Sequence, residues 1–264
     1  KTPLMKAMYS FPLSRKLLHR VAGRKLYKSF GGHLKFFGIG GAKLDRTVEV
    51  FLREGKFPYA IGYGLTETAP LLAGTAADNT RLQSTGPAVH GVELMLHNAD
   101  PETGEGEIWA KSPNIMQGYY NEPELTAEVM TDDGWFRTGD LGSFDRKGNV
   151  YIKGRLKNMI VGASGENIYP EEIESVINNF RYVLESVVVQ QKGKLVALVH
   201  FNREELENRY QHIKEEVADH IEYKLEELQA ELHAYVNARV NKFPQVKAVV
   251  VHNEPFEKTA TQKI

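Results

Sequence analysis

Residues 62 to 70 read GYGLTETAP. A tyrosine stands between two glycines, and a hydroxyl and a carboxylate follow side by side at Thr66 and Glu67. Tyr63 and Gly64 can present an aromatic face on a thin backbone to a flat base, and Thr66 can hydrogen-bond a phosphate oxygen. Glu67 suits Mg²⁺, a hard ion usually held by one or two carboxylates together with substrate phosphates. An ordinary loop accounts for the same residues, so the chemical reading needs partners elsewhere in the chain.

Four other stretches offer them. GIGGAKL (38–44) places Gly40, Gly41 and Ala42 where backbone could approach a flat ligand. It lacks the third glycine of a dinucleotide fingerprint, and no GxxxxGK[ST] phosphate loop occurs. GWFRTGDLG (134–142) sets Asp140 behind Thr138 and Gly139, an acid able to accept both hydroxyls of a ribose. GRLKNMI supplies Arg155, a fork of donors for ribose or phosphate, and Lys157. FEKTATQKI ends with Lys263 among threonines. Taken singly, these are a tight turn, a turn-forming aspartate and solvated basic residues.

The elements that must position them follow from pattern. Leu13, Leu17, Val21, Leu26 and Phe30 recur at near-helical spacing before Gly31-Gly32, and LKFFGIGG follows as a strand. Asp45 is the expected N-cap of a helix to Gly55, and YAIGYG the next strand. Strand, glycine turn, helix, strand is a βαβ unit, whose ligands sit at the carboxyl ends of the strands, where both glycine turns fall. From Gln83 to about Tyr151, VELMLHN, GEIWAK and NVYIKG read as a small antiparallel sheet or barrel. Beyond lie a helix at Glu171–Asn178, a hairpin turning at Lys192-Gly193, and a charged helical region. Its stripe, Leu206, Tyr210, Ile213, Val217, Ile221, Leu225, Leu228, Leu232 and Val236, reads as core packing on the hairpin, with a coiled-coil seam as the alternative.

Composition bounds the answer. The chain has 264 residues, 42% apolar and 25% charged, which is the ordinary globular range. With no cysteine, disulfides, thiol nucleophiles and Cys-ligated zinc are excluded. A net charge of -1 gives no reason to expect nucleic acid. Every charged residue from Lys1 to Leu44 is basic. A solvated helix face is the preferred reading, and attraction to an anionic membrane or a phosphate-rich ligand the functional one. The first residue is Lys1 within a helical pattern, so a fragment of a longer protein is expected.

In this order and spacing, GGAKL, GYGLTE, GWFRTGDLG, GRLKNMIVGASGENIYPEEIE and KTATQKI closely resemble the motifs of the adenylate-forming superfamily: acyl-CoA synthetases, firefly luciferases and peptide-synthetase adenylation domains. The resemblance spans about Leu34 to Ile264. GYGLTETAP and the Thr-X-Thr-X-Lys tail resemble in particular the long-chain fatty acyl-CoA ligases, with Gln262 where many members have glycine. The resemblance implies an α/β and α+β chain: a βαβ segment of the large AMP-binding domain (1–82), a small antiparallel β-barrel (83–156), and a mobile α+β lid (157–264) hinged at Lys157.

It also implies roles. Tyr63 stacks on adenine against the backbone of Gly40, Gly41 and Ala42, with Gly64 beside it. Thr66 contacts the α-phosphate and Glu67 the Mg²⁺, Asp140 and Arg155 hold the ribose, and Lys263 swings in for adenylation. Gly165 lines the path of the CoA thiol. The substrates implied are ATP, a long-chain fatty acid and coenzyme A. The family's phosphate loop and most of its acyl tunnel lie upstream of GGAKL, so the isolated chain is expected not to complete adenylation. Two rivals stand beside this reading: a ligase loading an acyl carrier protein, and a non-catalytic helical interaction module. The location expected is cytoplasmic, with peripheral contact at the inner membrane surface through the basic 1–44 segment. Oligomeric state is left open.

Overall fold

The computed structural model describes residues 9–162, 164–210, 217–240 and 245–258. It divides into two compact units, Lys1–Lys153 and Gly154–Ile264.

In the first unit, helix α1 (Pro12–Ser29) has proline in its first turn and ends at Gly31 and Gly32, both at positive φ. Helix α2 (Arg46–Glu54) starts as expected at Asp45, whose carboxylate accepts from the amides of Thr47 and Val48. The two helices cross where Gly23 meets Gly55. A Cβ on Gly23 would lie 2.6 Å from the Gly55 carbonyl oxygen, so only glycine permits this approach. Arg15 and His19 then reach Glu54, each at 2.7 Å.

The apolar spacing of α1 marks a helix but not its buried face. Leu13 and Leu17 are 84% and 64% exposed, while His19 and Gly23 are buried. Close backbone packing at Gly23, rather than the leucine stripe, sets which side faces α2.

Strand β1 (Phe37–Ile39) pairs in parallel with β2 (Tyr59–Ile61), and α2 is the crossover between them. Phe37, Phe57, Tyr59 and Ile61 pack with Leu52 beneath. Glu49 is fully buried among these apolar residues and fully used. It accepts from the Tyr59 hydroxyl (3.0 Å) and from the backbone and side-chain amides of Gln83 (both 2.7 Å). Burial beside that carboxylate pushes the Tyr59 hydroxyl up to about 12. The contact also fixes the left-handed residue Gln83, where the chain leaves the βαβ segment.

Strands β3 (Tyr63–Gly64) and β4 (Leu71–Ala73) form an antiparallel pair. Then β5 (Glu93–His97), β6 (Gly106–Lys111), β7 (Phe136–Phe144) and β8 (Val150–Arg155) form a four-stranded sheet in that order. The three strands read from VELMLHN, GEIWAK and NVYIKG are present. Among the described residues they make an open sheet, with no closed barrel. Helix α3 (Pro123–Val129), short and without a buried residue, precedes β7.

In the second unit, β9 (Ile160–Val161) and β10 (Asn167–Ile168) pair before helix α4 (Pro170–Ile177). Strands β11 (Val183–Gln191) and β12 (Lys194–Phe201) form the expected hairpin. Lys192 and Gly193, both at positive φ, make its two-residue turn. Helices α5 (Arg203–Tyr210) and α6 (Val217–Asn237) cross over to β13 (Ala248–Val251), which pairs in parallel with β12. Leu206, Leu225, Leu228, Leu232 and Val236 are all buried in the core of this unit, with Ile173, Ile177, Val199 and Phe201. These five stripe residues pack against the hairpin, as the core reading expected. Ile213 lies outside the described residues, as do the side chains of Tyr210, Val217 and Ile221.

No described helix is long and apolar enough to cross a membrane.

Candidate functional site

Parallel pairing of β1 with β2 puts both glycine turns at one end of the pair, and the Gly62 amide donates to the Ile39 carbonyl at 2.8 Å. A cleft of about 540 Å³ opens there. Gly40, Gly41, Tyr63 and Gly64 line it, with Phe36 and Leu71 as apolar walls. Ala42 is exposed next to Gly41 and is not part of the lining. Gly64 is required on packing grounds: a Cβ there would fall 1.6 Å from the Pro70 carbonyl oxygen. That contact explains the second glycine around Tyr63.

Tyr63 is buried, and its hydroxyl donates to Asp140 Oδ2 at 2.8 Å, joining residues 77 positions apart. Asp140 is no turn residue. It lies inside β7, 6% exposed, and owes its aim to a bulge. Between the pairs Glu107–Leu141 and Trp109–Arg137, one residue intervenes on β6 and three (Thr138, Gly139, Asp140) on β7. Each is tied down. The Thr138 hydroxyl donates to the Ile108 carbonyl at 2.6 Å, and the Asp140 amide donates to Thr138 Oγ1 at 3.1 Å. The Gly139 amide donates to Glu107 Oε1, also at 3.1 Å.

Thr66 and Glu67 occupy one 3-10 turn, Thr66–Thr68, closed by Ala69 in the left-handed region. Thr66 is exposed. Segment 114–119 braces this turn from the side. The Asn114 amide donates to the Thr68 carbonyl, the Met116 amide donates to the Glu67 carbonyl (2.7 Å), and the Tyr119 hydroxyl donates to Glu67 Oε1 (3.0 Å). The second carboxylate oxygen of Glu67 has no hydrogen bond among the described residues. Asn114, Tyr119 and Glu107 hold these motif residues in place and were left unassigned by sequence reading, whereas Thr138 was read there as a neighbour of Asp140.

The remaining predicted residues belong to the second unit. Arg155 ends β8, and its amide donates to Glu171 Oε1 at 3.4 Å. Lys157 is exposed in the 3-10 turn Leu156–Asn158, whose Asn158 side chain donates to the same oxygen at 2.8 Å. Gly165, at φ 84, sits in the exposed turn between β9 and β10. Lys263 and Gln262 lie outside the described residues.

A family model described as AMP-binding enzyme matches residues 5–120. Long chain acyl-CoA synthetase 1 of Arabidopsis thaliana is 34% identical, over 94% of this chain and 40% of its own length. The O-succinylbenzoate coenzyme A synthetase of Bacillus subtilis, solved in complex with AMP, superposes with a TM-score of 0.69 at 26% identity. That match covers 88% of this chain and 44% of the other. The chain belongs to the adenylate-forming superfamily.

Members of the superfamily differ in what accepts the acyl group. A long-chain-fatty-acid–[acyl-carrier-protein] ligase of Arabidopsis thaliana is also 34% identical, over 71% of this chain and 29% of its own length. The chain thus spans less than half the length of each of these three relatives.

Proposed function

We propose that this chain carries the adenylate-handling part of a ligase that activates a long-chain fatty acid with ATP and passes the acyl group to coenzyme A. The observation that supports it most is the buried bond from Tyr63 to Asp140. It joins the aromatic motif to the acidic motif beside a glycine-walled cleft of ligand size. In this reading adenine lies between the Tyr63 ring and the backbone of Gly40 and Gly41, and Asp140 and Arg155 accept from and donate to the ribose. Thr66 faces the α-phosphate.

Glu67 is the candidate Mg²⁺ residue. No cluster of three or more acids or histidines is preassembled for a metal among the described residues. A half-buried carboxylate with one unoccupied oxygen fits an ion that takes one or two carboxylates and completes its shell with phosphates and water. Bound there, the ion neutralises phosphate charge.

The reaction has two displacements. A carboxylate oxygen of the acid bonds to the α-phosphorus as the bond to pyrophosphate breaks, and Lys263 steadies the charge that builds up. The thiolate of coenzyme A, its proton lost to solvent, then bonds to the acyl carbon as AMP leaves. Lys157 is the hinge for the change between these steps, and the Gly165 turn approaches for the second. The carrier-protein ligase among the relatives favours one alternative, in which a phosphopantetheine thiol replaces coenzyme A.

The test is pyrophosphate release with Mg-ATP across acids from acetate to stearate, in a chain that also carries the upstream phosphate loop. Coenzyme A and acyl carrier protein are supplied in parallel. Turnover peaking at long chains, sustained by coenzyme A and lost in Lys263→Ala, supports the reading. Turnover sustained only by carrier protein replaces it with the alternative, and no release with any acid sinks both. The 264-residue chain alone is expected to release none.

A further inference from the structure

We propose that a second cleft in the first unit binds a polyvalent phosphate group. It lies between α1, the end of α2 and residues 78–82, with a volume of about 1000 Å³, and shares no lining residue with the Tyr63 cleft. Six cationic side chains from these segments line it: Arg15, Lys16 and Arg20 on α1, Arg53 and Lys56 around the end of α2, and Arg81. Two acids, Glu54 and Asp78, line the cleft with them.

The charges are unevenly spent. Arg15 forks onto Glu54 at 2.7 and 3.1 Å and holds that carboxyl below its ordinary range. Arg81 pairs with Asp145 at 3.0 Å, and Arg53 donates to the Thr80 carbonyl at 3.3 Å. Lys16, Arg20 and Lys56 have no hydrogen-bond or ion-pair partner among the described residues. Three cationic side chains without a partner among the described residues thus line one concave space, where protein walls concentrate the field on a bound anion.

Fold stability gives no reason for this arrangement. Helix α1 has no acid in its first turn and no side-chain cap. Separate cations on two elements suit a group with several negative oxygens, such as a di- or triphosphate, better than a single carboxylate. Tyr151 on the same wall offers a surface for the organic body attached to it. Such phosphates come from soluble metabolites or from lipid headgroups. The exposed Leu13, Leu17 and Val21 on the adjoining face of α1 are compatible with a lipid source.

The experiment is calorimetric titration of the 264-residue chain with sodium tripolyphosphate at about 50 mM and about 300 mM salt. We expect saturable binding at low salt that weakens at least about tenfold at high salt, as a contact between charges should. The variant K16E/R20E/K56E should lose it. K147E/K192E/K194E, with the same change in net charge at exposed positions elsewhere, should keep it, with both variants checked for an unchanged melting transition. No binding at low salt overturns the proposal, as does equal loss in the two variants or retention in the first.

Co-sedimentation with vesicles of phosphatidate in phosphatidylcholine separates the sources. Capture that tripolyphosphate displaces and K16E/R20E/K56E abolishes supports a lipid headgroup. Tripolyphosphate binding without capture supports a soluble phosphate. Capture that survives the triple reversal, with no tripolyphosphate titration, overturns the cleft.

Discussion

The seam between Tyr63 and Asp140 and the packing of α6 on its sheet hold together distant parts of the chain by opposite means. Leu225, Leu228, Leu232 and Val236 repeat at helical spacing and bury against β11, β12 and β13, where any apolar side chain of similar volume fills the same space. The Tyr63 seam uses one hydroxyl and one carboxylate, aimed by a bulge in β7 and by a glycine that nothing larger can replace. The first arrangement tolerates chemical change and resists loss of volume. The second depends on the identity of one donor and one acceptor and admits no added volume at Gly64.

The largest effect should fall on the core side of this contrast. Leu228→Ala empties a fully buried position of α6 and should cost the second unit about 2 to 5 kcal/mol in urea unfolding. With the nucleotide in the Tyr63 cleft as proposed, AMP binding should weaken far less than stability, and its complete loss would break the contrast.

Next comes an acid inside the second unit. Burial pushes Glu174 up to about 7, although the Val188 amide donates to it at 2.8 Å. Between its ordinary value of 4.5 and about 7, the folded state holds a proton that the unfolded state has released. Stability from this group is therefore complete below the lower value and falls as pH rises through the window. Glu174→Gln should flatten that slope and stabilise the unit at pH 8, on the order of 1 to 3 kcal/mol. A melting profile unchanged between pH 5 and 8 would count against the burial argument.

A smaller effect on affinity, with little on stability, is expected at the seam. Tyr63→Phe keeps the ring but removes the donor to Asp140, and should weaken AMP binding on the order of tenfold, the equivalent of about one charged hydrogen bond. The loss should be smaller for 2′-deoxy-AMP, and equal losses for both nucleotides would separate Tyr63 from ribose recognition. The smallest change is Arg181→Ala, which breaks an exposed pair with Glu231 and should cost about 0 to 1 kcal/mol.

Legibility followed the same division. The β11–β12 hairpin, the cap at Asp45 and the buried stripe of α6 were readable because each rests on spacing and turn chemistry within a few residues. The face of α1 was not, since Gly23 against Gly55 outweighed the leucines. The site motifs were visible as a set. The bracing of Glu67 by Tyr119, and of its 3-10 turn by Asn114, depends on residues about 50 positions away with no local signature.

The sequence alone determined residue chemistry and local periodicity: a tyrosine between glycines, an acid after Thr138 and Gly139, helices and a hairpin of given lengths, and a family resemblance carried by motif order. The tertiary structure decided which oxygen meets which hydroxyl, which face of α1 is covered and where cations converge. Those outcomes depend on backbone approach at single glycines and on a bulge in β7, distances set by packing between segments rather than by the identity of neighbours along the chain.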